Sequence, residues 1–390
     1  MRLSVDDGWR RVAYFWRQVN VAVNNQAVGD RMNFLTRCSF LFGLSLPLIP
    51  LLAFYSGHFH TVALIPLFLF PIVDYLIGPR YSRPTSAQSA QLEQSIYFPF
   101  IPMLFVSLQL GAQIWGAYMV CQPDIPLDVR VGIMLSIGYT SGAVGITAAH
   151  ELGHKKSAFE RTLAKILLTS VSYGHFYIEH NRGHHVRVGT PEDAATARRG
   201  ENVYAFLIRA ISGTYTHAWT LEFARLKQFG YTRFGWHNQM LWFTCLPIVI
   251  AFILGASFGW PAAVYFFGQS VVAFTLLELV DYIEHYGLTR KADANGKLEA
   301  FSVAHAWDSS AWLTNGVLFN LQRHADHHLS PSKRYQCLAS SMQSPQLPAC
   351  YASMVFLALI PPLWRAVMHP RLEAYFGGDN FNRGTEMKTQ

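Results

Sequence analysis

The chain has 390 residues, of which 51% are apolar, 14% are aromatic and only 14% are charged. An ordinary soluble protein carries about 25% charged residues, so this composition excludes a typical soluble enzyme and favours one membrane-embedded body. The formal net charge is +7, but the Lys and Arg residues form no single aromatic-rich basic patch, which argues against nucleic-acid binding.

Six apolar stretches are long enough to cross a hydrocarbon core of about 30 Å, which takes about 20 helical residues. In chain order they are 34–55, 59–79, 97–120, 129–149, 238–258 and 261–285. Short polar turns join them in pairs, so the chain is predicted to be an all-α integral membrane protein with six transmembrane helices in three hairpins. Two shorter apolar segments, 161–178 and 347–364, are predicted to be interfacial or re-entrant helices, because an extra span would break the charge asymmetry described next.

The positive charges predict the topology of these helices. Of the 31 Lys and Arg residues, 30 lie on one side of the predicted spans, and only Arg130 lies by a turn on the other side. Cytoplasmic loops carry the excess of positive charge, so both termini and the segments 150–237 and 286–390 are expected in the cytoplasm. Residues 1–33 are polar and charged, which predicts no cleavable signal peptide. We therefore expect one integral membrane domain over residues 1–390.

Nine of the sixteen histidines fall in four short groups at the predicted cytoplasmic helix ends. The groups are H-E-L-G-H, E-H-N-R-G-H-H, D-Y-I-E-H-Y-G and L-Q-R-H-A-D-H-H, and they contain His150, His154, His180, His184, His185, His285, His324, His327 and His328. Spacings of three and four residues place such side chains on one helical face. Neutral imidazole is the commonest metal ligand. Because nine ligands exceed one coordination sphere, the pattern predicts two metal sites with four or five nitrogens each and open positions for dioxygen.

Acidic residues stand beside these groups, as the charge of an all-histidine metal site requires. A ligating histidine usually donates its second N–H to a carboxylate or a carbonyl. Glu278 and Asp281 precede His285 by about two helical turns and one helical turn, and they are the predicted supporting carboxylates. For Glu151 and Glu284, a solvated helix end is an alternative role.

Two other interpretations of the histidines are weaker. H-E-L-G-H is also the H-E-x-x-H pattern of zinc proteases, in which Glu151 would be the general base. Intramembrane zinc metalloproteases add an Asp from an L-D-G motif, which this sequence lacks, and seven clustered histidines would have no role. A metal transporter would carry its histidines along the spans and not at their ends.

The four histidine blocks resemble those of the bacterial membrane-bound alkane 1-monooxygenases, within the superfamily of membrane fatty acid desaturases and hydroxylases. The resemblance extends through Y-G-H-F-Y-I-E-H-N at 173–181 and P-P-L-W-R-A-V-M at 361–368. Two positions depart from the family pattern, since Asp281 and Asp308 stand where these enzymes usually have Asn.

The resemblance implies a six-helix bundle in the bacterial inner membrane, with the nine histidines holding two non-haem irons on the cytoplasmic side. It implies terminal hydroxylation of medium-chain n-alkanes by dioxygen. A related membrane hydroxylase or desaturase acting on an alkylaromatic or fatty acyl chain is the alternative.

The resemblance also names an electron donor, rubredoxin, which is reduced by an NAD(P)H-dependent rubredoxin reductase. An external donor is required because the sequence has no flavin or dinucleotide fingerprint and no C-x-x-C pair. Rubredoxin is a small acidic protein, so cations near the histidine groups are expected to face it. These cations are Lys155, Lys156, Arg182, Arg187, Lys333 and Arg334.

Overall fold

A computed structural model describes Met32 and residues 34–57 and 65–377. Over these ranges the fold is helical, with two isolated β-bridges and no strand, so the predicted all-α class is confirmed. The helices are α1 (Phe34–Tyr55), α2 (Ile65–Ile77), α3 (Ser86–Glu93), α4 (Tyr97–Met119), α5 (Leu127–Gly153), α6 (Ala158–Thr169), α7 (176–187), α8 (Val203–Gln228), α9 (Gln239–Phe258), α10 (Trp260–His285), α11 (Leu313–Val317), α12 (His324–Leu329), α13 (Tyr351–Ala358) and α14 (Pro361–Phe376).

Five helices, α1, α4, α5, α9 and α10, are long and apolar enough to cross a membrane. They match five of the six predicted spans to within a few residues at each end. The remaining stretch, 59–79, is described only from Ile65, where the 13-residue helix α2 begins. Its first residues, and the turn that contains His58, lie outside the described residues, so the sixth span stays a prediction.

Helices α5 and α10 pack so closely that glycine is required between them. A Cβ atom on Gly142 of α5 would lie 2.7 Å from the carbonyl oxygen of Ala273 in α10, and one on Gly138 would lie 2.6 Å from Val272. Small residues permit this backbone approach between membrane helices. The packing brings the ends of the two helices together, one carrying His150 and the other His285.

Two π turns interrupt the helices that carry histidines. One runs from Ser141 to Gly145 inside α5, and the other runs from His180 to His184 inside α7. Such turns are rare and occur mostly at functional sites. The second coincides with the E-H-N-R-G-H-H block and sets the directions in which its histidines point.

The two shorter apolar segments form helices that are too short to cross a bilayer. Helix α6 has 12 residues and α13 has eight, which correspond to about 18 Å and about 12 Å of length. After α6 the chain turns back through Ser172, whose φ of 55° lies in the left-handed region. These lengths agree with the prediction that 161–178 and 347–364 do not span the membrane, and their interfacial or re-entrant placement stays a prediction.

Candidate metal centre

The fold brings all nine clustered histidines together in two adjacent groups. The first contains His150, His154, His180, His185 and His327, and the second contains His184, His285, His324 and His328. In each group every residue offers a ligand atom within 4.8 Å of all the others. All four members of the second group are buried, whereas His154 and His185 of the first are half-buried.

The imidazoles meet through their Nε2 atoms, at the spacing of ligands around one ion. In the first group, His180 Nε2 lies 3.1 Å from that of His154 and 3.0 Å from that of His185. In the second, His324 Nε2 lies 3.1 Å from that of His285 and 2.9 Å from that of His328. With metal–nitrogen bonds of about 2.1 Å, two ligands at a right angle are about 3.0 Å apart. The histidines therefore fit two metal ions, one for each group.

Neighbouring residues in the sequence contribute to different groups. His184 belongs to the four-histidine group and His185 to the five-histidine group, and His328 and His327 divide in the same way. Consecutive side chains on a helix point about 100° apart, so each pair can reach two ions at once. Histidines four residues apart, such as His150 and His154, stay in one group.

Burial keeps the histidines outside the apolar spans neutral, which is the form that binds metal. Removal from water lowers the pKa of His180, and the neighbouring imidazoles lower it further. The same causes lower the pKa of His154, His185, His324, His327 and His328. His184 differs. Burial is the largest influence on its pKa and lowers it, but the charge and hydrogen bond of Asp193, together with the charges of Glu179 and Glu284, outweigh burial and raise the pKa.

Two supporting contacts fix the orientation of imidazoles in the four-histidine group. Asp193 Oδ2 lies 2.9 Å from His184 Nδ1 and also accepts a hydrogen bond from Thr196 at 2.6 Å. His285 Nδ1 donates to the backbone carbonyl of His305 at 3.0 Å. Both contacts leave Nε2 to face the metal position. Neither contact is predicted by the sequence pattern. The one signal for Asp193 is a carboxylate nine positions after a clustered histidine.

The two predicted supporting carboxylates are buried but contact other groups. Glu278 accepts a hydrogen bond from the hydroxyl of Tyr173, and Asp281 lies between Glu278 and Glu284 on the same buried helix face. Among the described residues, neither makes a hydrogen bond to one of the nine histidines. Their proposed role in support of the site stays a prediction.

Other acidic neighbours are engaged in ion pairs. Glu151 lies 3.0 Å from the ammonium of Lys155, and Asp326 lies 2.7 Å from that of Lys333. Because Glu151 is held in this pair and its motif histidines belong to a five-histidine group, the geometry argues against a protease site. Lys155 is only 2% exposed, so its expected role in facing an electron donor is wrong. Lys156 is exposed.

A small cavity of about 10 Å³ adjoins the five-histidine group. Its walls include His150, His327 and the apolar side chains of Phe319, Leu321 and Leu338. Phe319 has a φ of 49°, which is uncommon for a bulky residue and marks a backbone constrained by its surroundings. The constraint places an apolar wall beside the histidines.

A much larger apolar cavity of about 570 Å³ lies between α4, α6, α9 and α10. Phe243 and Ile250 line it, and the exposed residues Ile114 and Ile253 stand at its edge. None of the nine histidines lines this cavity. It is therefore not the place where a substrate meets the metal centre.

Comparison with known proteins places these residues in a family. The family described as fatty acid desaturase matches residues 129–357, which include all nine histidines. The chain is 44% identical over 318 residues to alkane 1-monooxygenase 1 of Pseudomonas aeruginosa, covering 81% of this chain and 83% of that protein. It is 37% identical over 344 residues to alkane 1-monooxygenase 2 of Alcanivorax borkumensis, covering 86% and 90%. Identity falls to 26% over 322 residues, covering 82% and 84%, for the xylene/toluene monooxygenase hydroxylase component of Pseudomonas putida.

Proposed function

The chain belongs to the alkane 1-monooxygenase family, and from this premise we propose that its nine clustered histidines hold two irons at which medium-chain n-alkanes are hydroxylated at the terminal carbon. The observation that carries the proposal is the pair of histidine groups with ligand spacing. The five-histidine group and the four-histidine group each provide one coordination sphere. Imidazole ligands suit iron, and the chemistry requires a redox metal.

The irons would supply the power to activate dioxygen and to attack an unactivated C–H bond, which no side chain has. One oxygen atom enters the alcohol and the other leaves as water, so each turnover consumes two electrons and two protons. The protein residues orient the ligands: Asp193 and the His305 carbonyl hold His184 and His285 with Nε2 toward the metal position. Burial excludes water from the same space.

An n-alkane offers no group to hydrogen-bond, so only the shape of an apolar wall can position it. The small cavity beside His150 and His327 is the described space where apolar side chains meet clustered histidines. Because about 10 Å³ holds no more than a water-sized probe, we infer that the terminal carbon reacts there only after Phe319, Leu321 or Leu338 moves to enlarge the cavity.

Electrons come from rubredoxin, which is reduced in turn by an NAD(P)H-dependent reductase. The exposed Lys156 lies two residues beyond His154. Four further cations flank the histidine groups in the sequence and stay partly exposed although each pairs with a carboxylate: Arg182, Arg187, Lys333 and Arg334. This arrangement supports the docking of an acidic donor on the cytoplasmic side. The five long apolar helices and the distribution of Lys and Arg support a multi-pass protein of the bacterial inner membrane, and with the predicted sixth span at 59–79 both termini lie in the cytoplasm. We propose that residues 1–390 act as this one hydroxylase domain.

A second candidate is a related hydroxylase or desaturase acting on an alkylaromatic or fatty acyl chain. The name of the matched family and the 26% identical xylene/toluene relative favour testing it. The higher identity to alkane 1-monooxygenases favours alkanes.

The test is product analysis with the purified protein in lipid nanodiscs, supplied with NADH, rubredoxin and its reductase. A panel of n-alkanes should give 1-alkanols, an alkylbenzene and a fatty acid should give little product, and omission of rubredoxin should abolish turnover. Metal analysis should find about two irons per chain. A single zinc, or preferred turnover of the fatty acid, would contradict the proposal.

Matched variants test the ligands. His328→Ala should abolish hydroxylation while the protein still inserts into the membrane, because it removes a ligand of the four-histidine group. His237→Ala is the control, since this exposed imidazole stacks on Tyr231 and belongs to neither group. Equal activity of the two variants at matched expression would show that the histidine assignment is wrong.

A further inference from the structure

The four-histidine group has an acidic neighbour on its metal-facing side. Glu284 precedes His285 in α10, and its Oε2 atom lies 3.2 Å from His324 Nε2. This is the same nitrogen that lies 3.1 Å from His285 Nε2 and 2.9 Å from His328 Nε2. The carboxylate oxygen therefore lies beside His324 Nε2 at nearly the spacing of the ligand nitrogens, although Glu284 is outside the set of four residues whose ligand atoms all lie within 4.8 Å of one another.

The position of Glu284 differs from that of the supporting residues. Asp193 contacts His184 through Nδ1, on the outer side of the ring, whereas Glu284 meets the Nε2 side. Among ion pairs of the described residues, Glu284 is the one carboxylate within 4.0 Å of an Nε2 atom of either group. A contact at Nδ1 orients the imidazole from its outer side, whereas a contact at Nε2 places the carboxylate oxygen on the side of the ring that faces the metal position.

Charge and burial point the same way. The Glu284 side chain is 2% exposed, and its ion-pair partner is His324, which is 1% exposed. A buried carboxylate is costly unless a cation or hydrogen bonds compensate it. No Lys or Arg pairs with Glu284 among the described residues. Tyr351 and Asp281 are its other polar neighbours, and Glu284 Oε1 is buried without a hydrogen-bond partner among the described residues. A metal cation would compensate this carboxylate.

From this geometry, and resting on the proposed di-iron function, we propose that Glu284 is the fifth ligand of the four-histidine site and binds its iron through Oε2. The two sites then both hold five protein ligands, but they differ in charge. All five ligands of the five-histidine site are neutral imidazoles, whereas the ligands of the other site include one negatively charged carboxylate. The two irons are thus expected to be spectroscopically distinct.

The test compares Glu284→Ala, Glu284→Gln and Glu284→Asp with Glu201→Gln as the control. Glu201 pairs with Arg209 and belongs to no histidine group. Each protein is loaded with ⁵⁷Fe, and the reduced form is examined by Mössbauer spectroscopy together with iron analysis. In Glu284→Ala and Glu284→Gln, one of the two iron signals should shift or vanish, and a chelator should remove that iron at least 10-fold faster. Glu284→Asp should restore part of the signal, and Glu201→Gln should match the wild type.

Unchanged spectra and chelator resistance in Glu284→Ala, with two irons bound, would overturn the assignment. Loss of both irons from every Glu284 variant, including Glu284→Asp, would also overturn it, because the residue would then maintain the fold and not one site. Absence of two irons from the wild type itself would contradict the proposed function, so the two failures are distinguishable.

Discussion

Asp193 gives the sharpest test of how the protein orients its metal ligands. The perturbation is Asp193→Asn, which preserves size and removes one acceptor. In the native site, Oδ2 faces His184 Nδ1 and Thr196, while Oδ1 accepts from the backbone N–H of Ala195 at 3.2 Å. An amide has only one oxygen, so its NH₂ group must face one of these donors. Either the His184 contact or the turn that positions it is lost.

The magnitude follows from the role of such contacts. Loss of an outer hydrogen bond to a ligating histidine typically weakens metal binding about 10- to 100-fold, which corresponds to about 1.4 to 2.7 kcal/mol. His184 belongs only to the four-histidine group, so the effect should fall on one of the two ions. We expect a chelator titration to remove about one iron per chain from Asp193→Asn at a concentration that leaves the wild type with both.

Glu192→Gln is the matched control, because Glu192 is the exposed neighbour of the buried Asp193. It should titrate like the wild type. If Asp193→Asn retained both irons with unchanged affinity, the carboxylate would have no orienting role. Equal weakening of both ions would instead refute the division of the histidines into two separate groups.

Three further predictions concern packing, pH and the electron donor. Gly142→Ala should lower the free energy of unfolding by about 1 to 3 kcal/mol, because the added Cβ would collide with the carbonyl oxygen of Ala273. Gly111→Ala is the control and should not lower it, because nothing lies within 4 Å of a Cβ at that position. Equal melting temperatures of the two variants would refute the close packing of α5 and α10. The metal-free protein should lose stability as pH falls from about 7.5 to 5.5. Most clustered histidines outside the spans have lowered pKa values in the folded protein, so below about pH 6.5 the unfolded chain binds more protons than the folded one. A thermal-shift profile that does not change with pH would contradict this. The KM for rubredoxin should rise with ionic strength, and Lys156→Glu should raise it several-fold at low salt with iron content unchanged; steady-state kinetics showing no change would move the docking surface elsewhere.

The sequence predicted the parts of this structure that depend on local pattern. Five spans agree closely because about 20 consecutive apolar residues leave few other possibilities. The convergence of the histidines followed from their positions at helix ends on one side. The division of His184 from His185 did not follow, because it depends on side-chain direction in a π turn that the sequence does not mark.

Contacts that depend on tertiary structure were also beyond reach of the sequence. Asp193 reaches His184 only because residues 188–197 turn back on the helix before them, through Thr196 and Gly189. Helical periodicity favoured Glu278 and Asp281, yet among the described residues the carboxylate of α10 that meets a clustered histidine is Glu284. The burial of Lys155 depends on the segment at Ser332–Lys333, whose carbonyls accept its hydrogen bonds.

The pairs of adjacent histidines tie the two metal positions mechanically. His184 and His185, like His327 and His328, have Cα atoms only about 3.8 Å apart. If irons occupied both positions, a displacement of one ligand set would therefore be transmitted through one peptide unit to the other. Two such links on different helices restrain both the separation and the relative tilt of the ions.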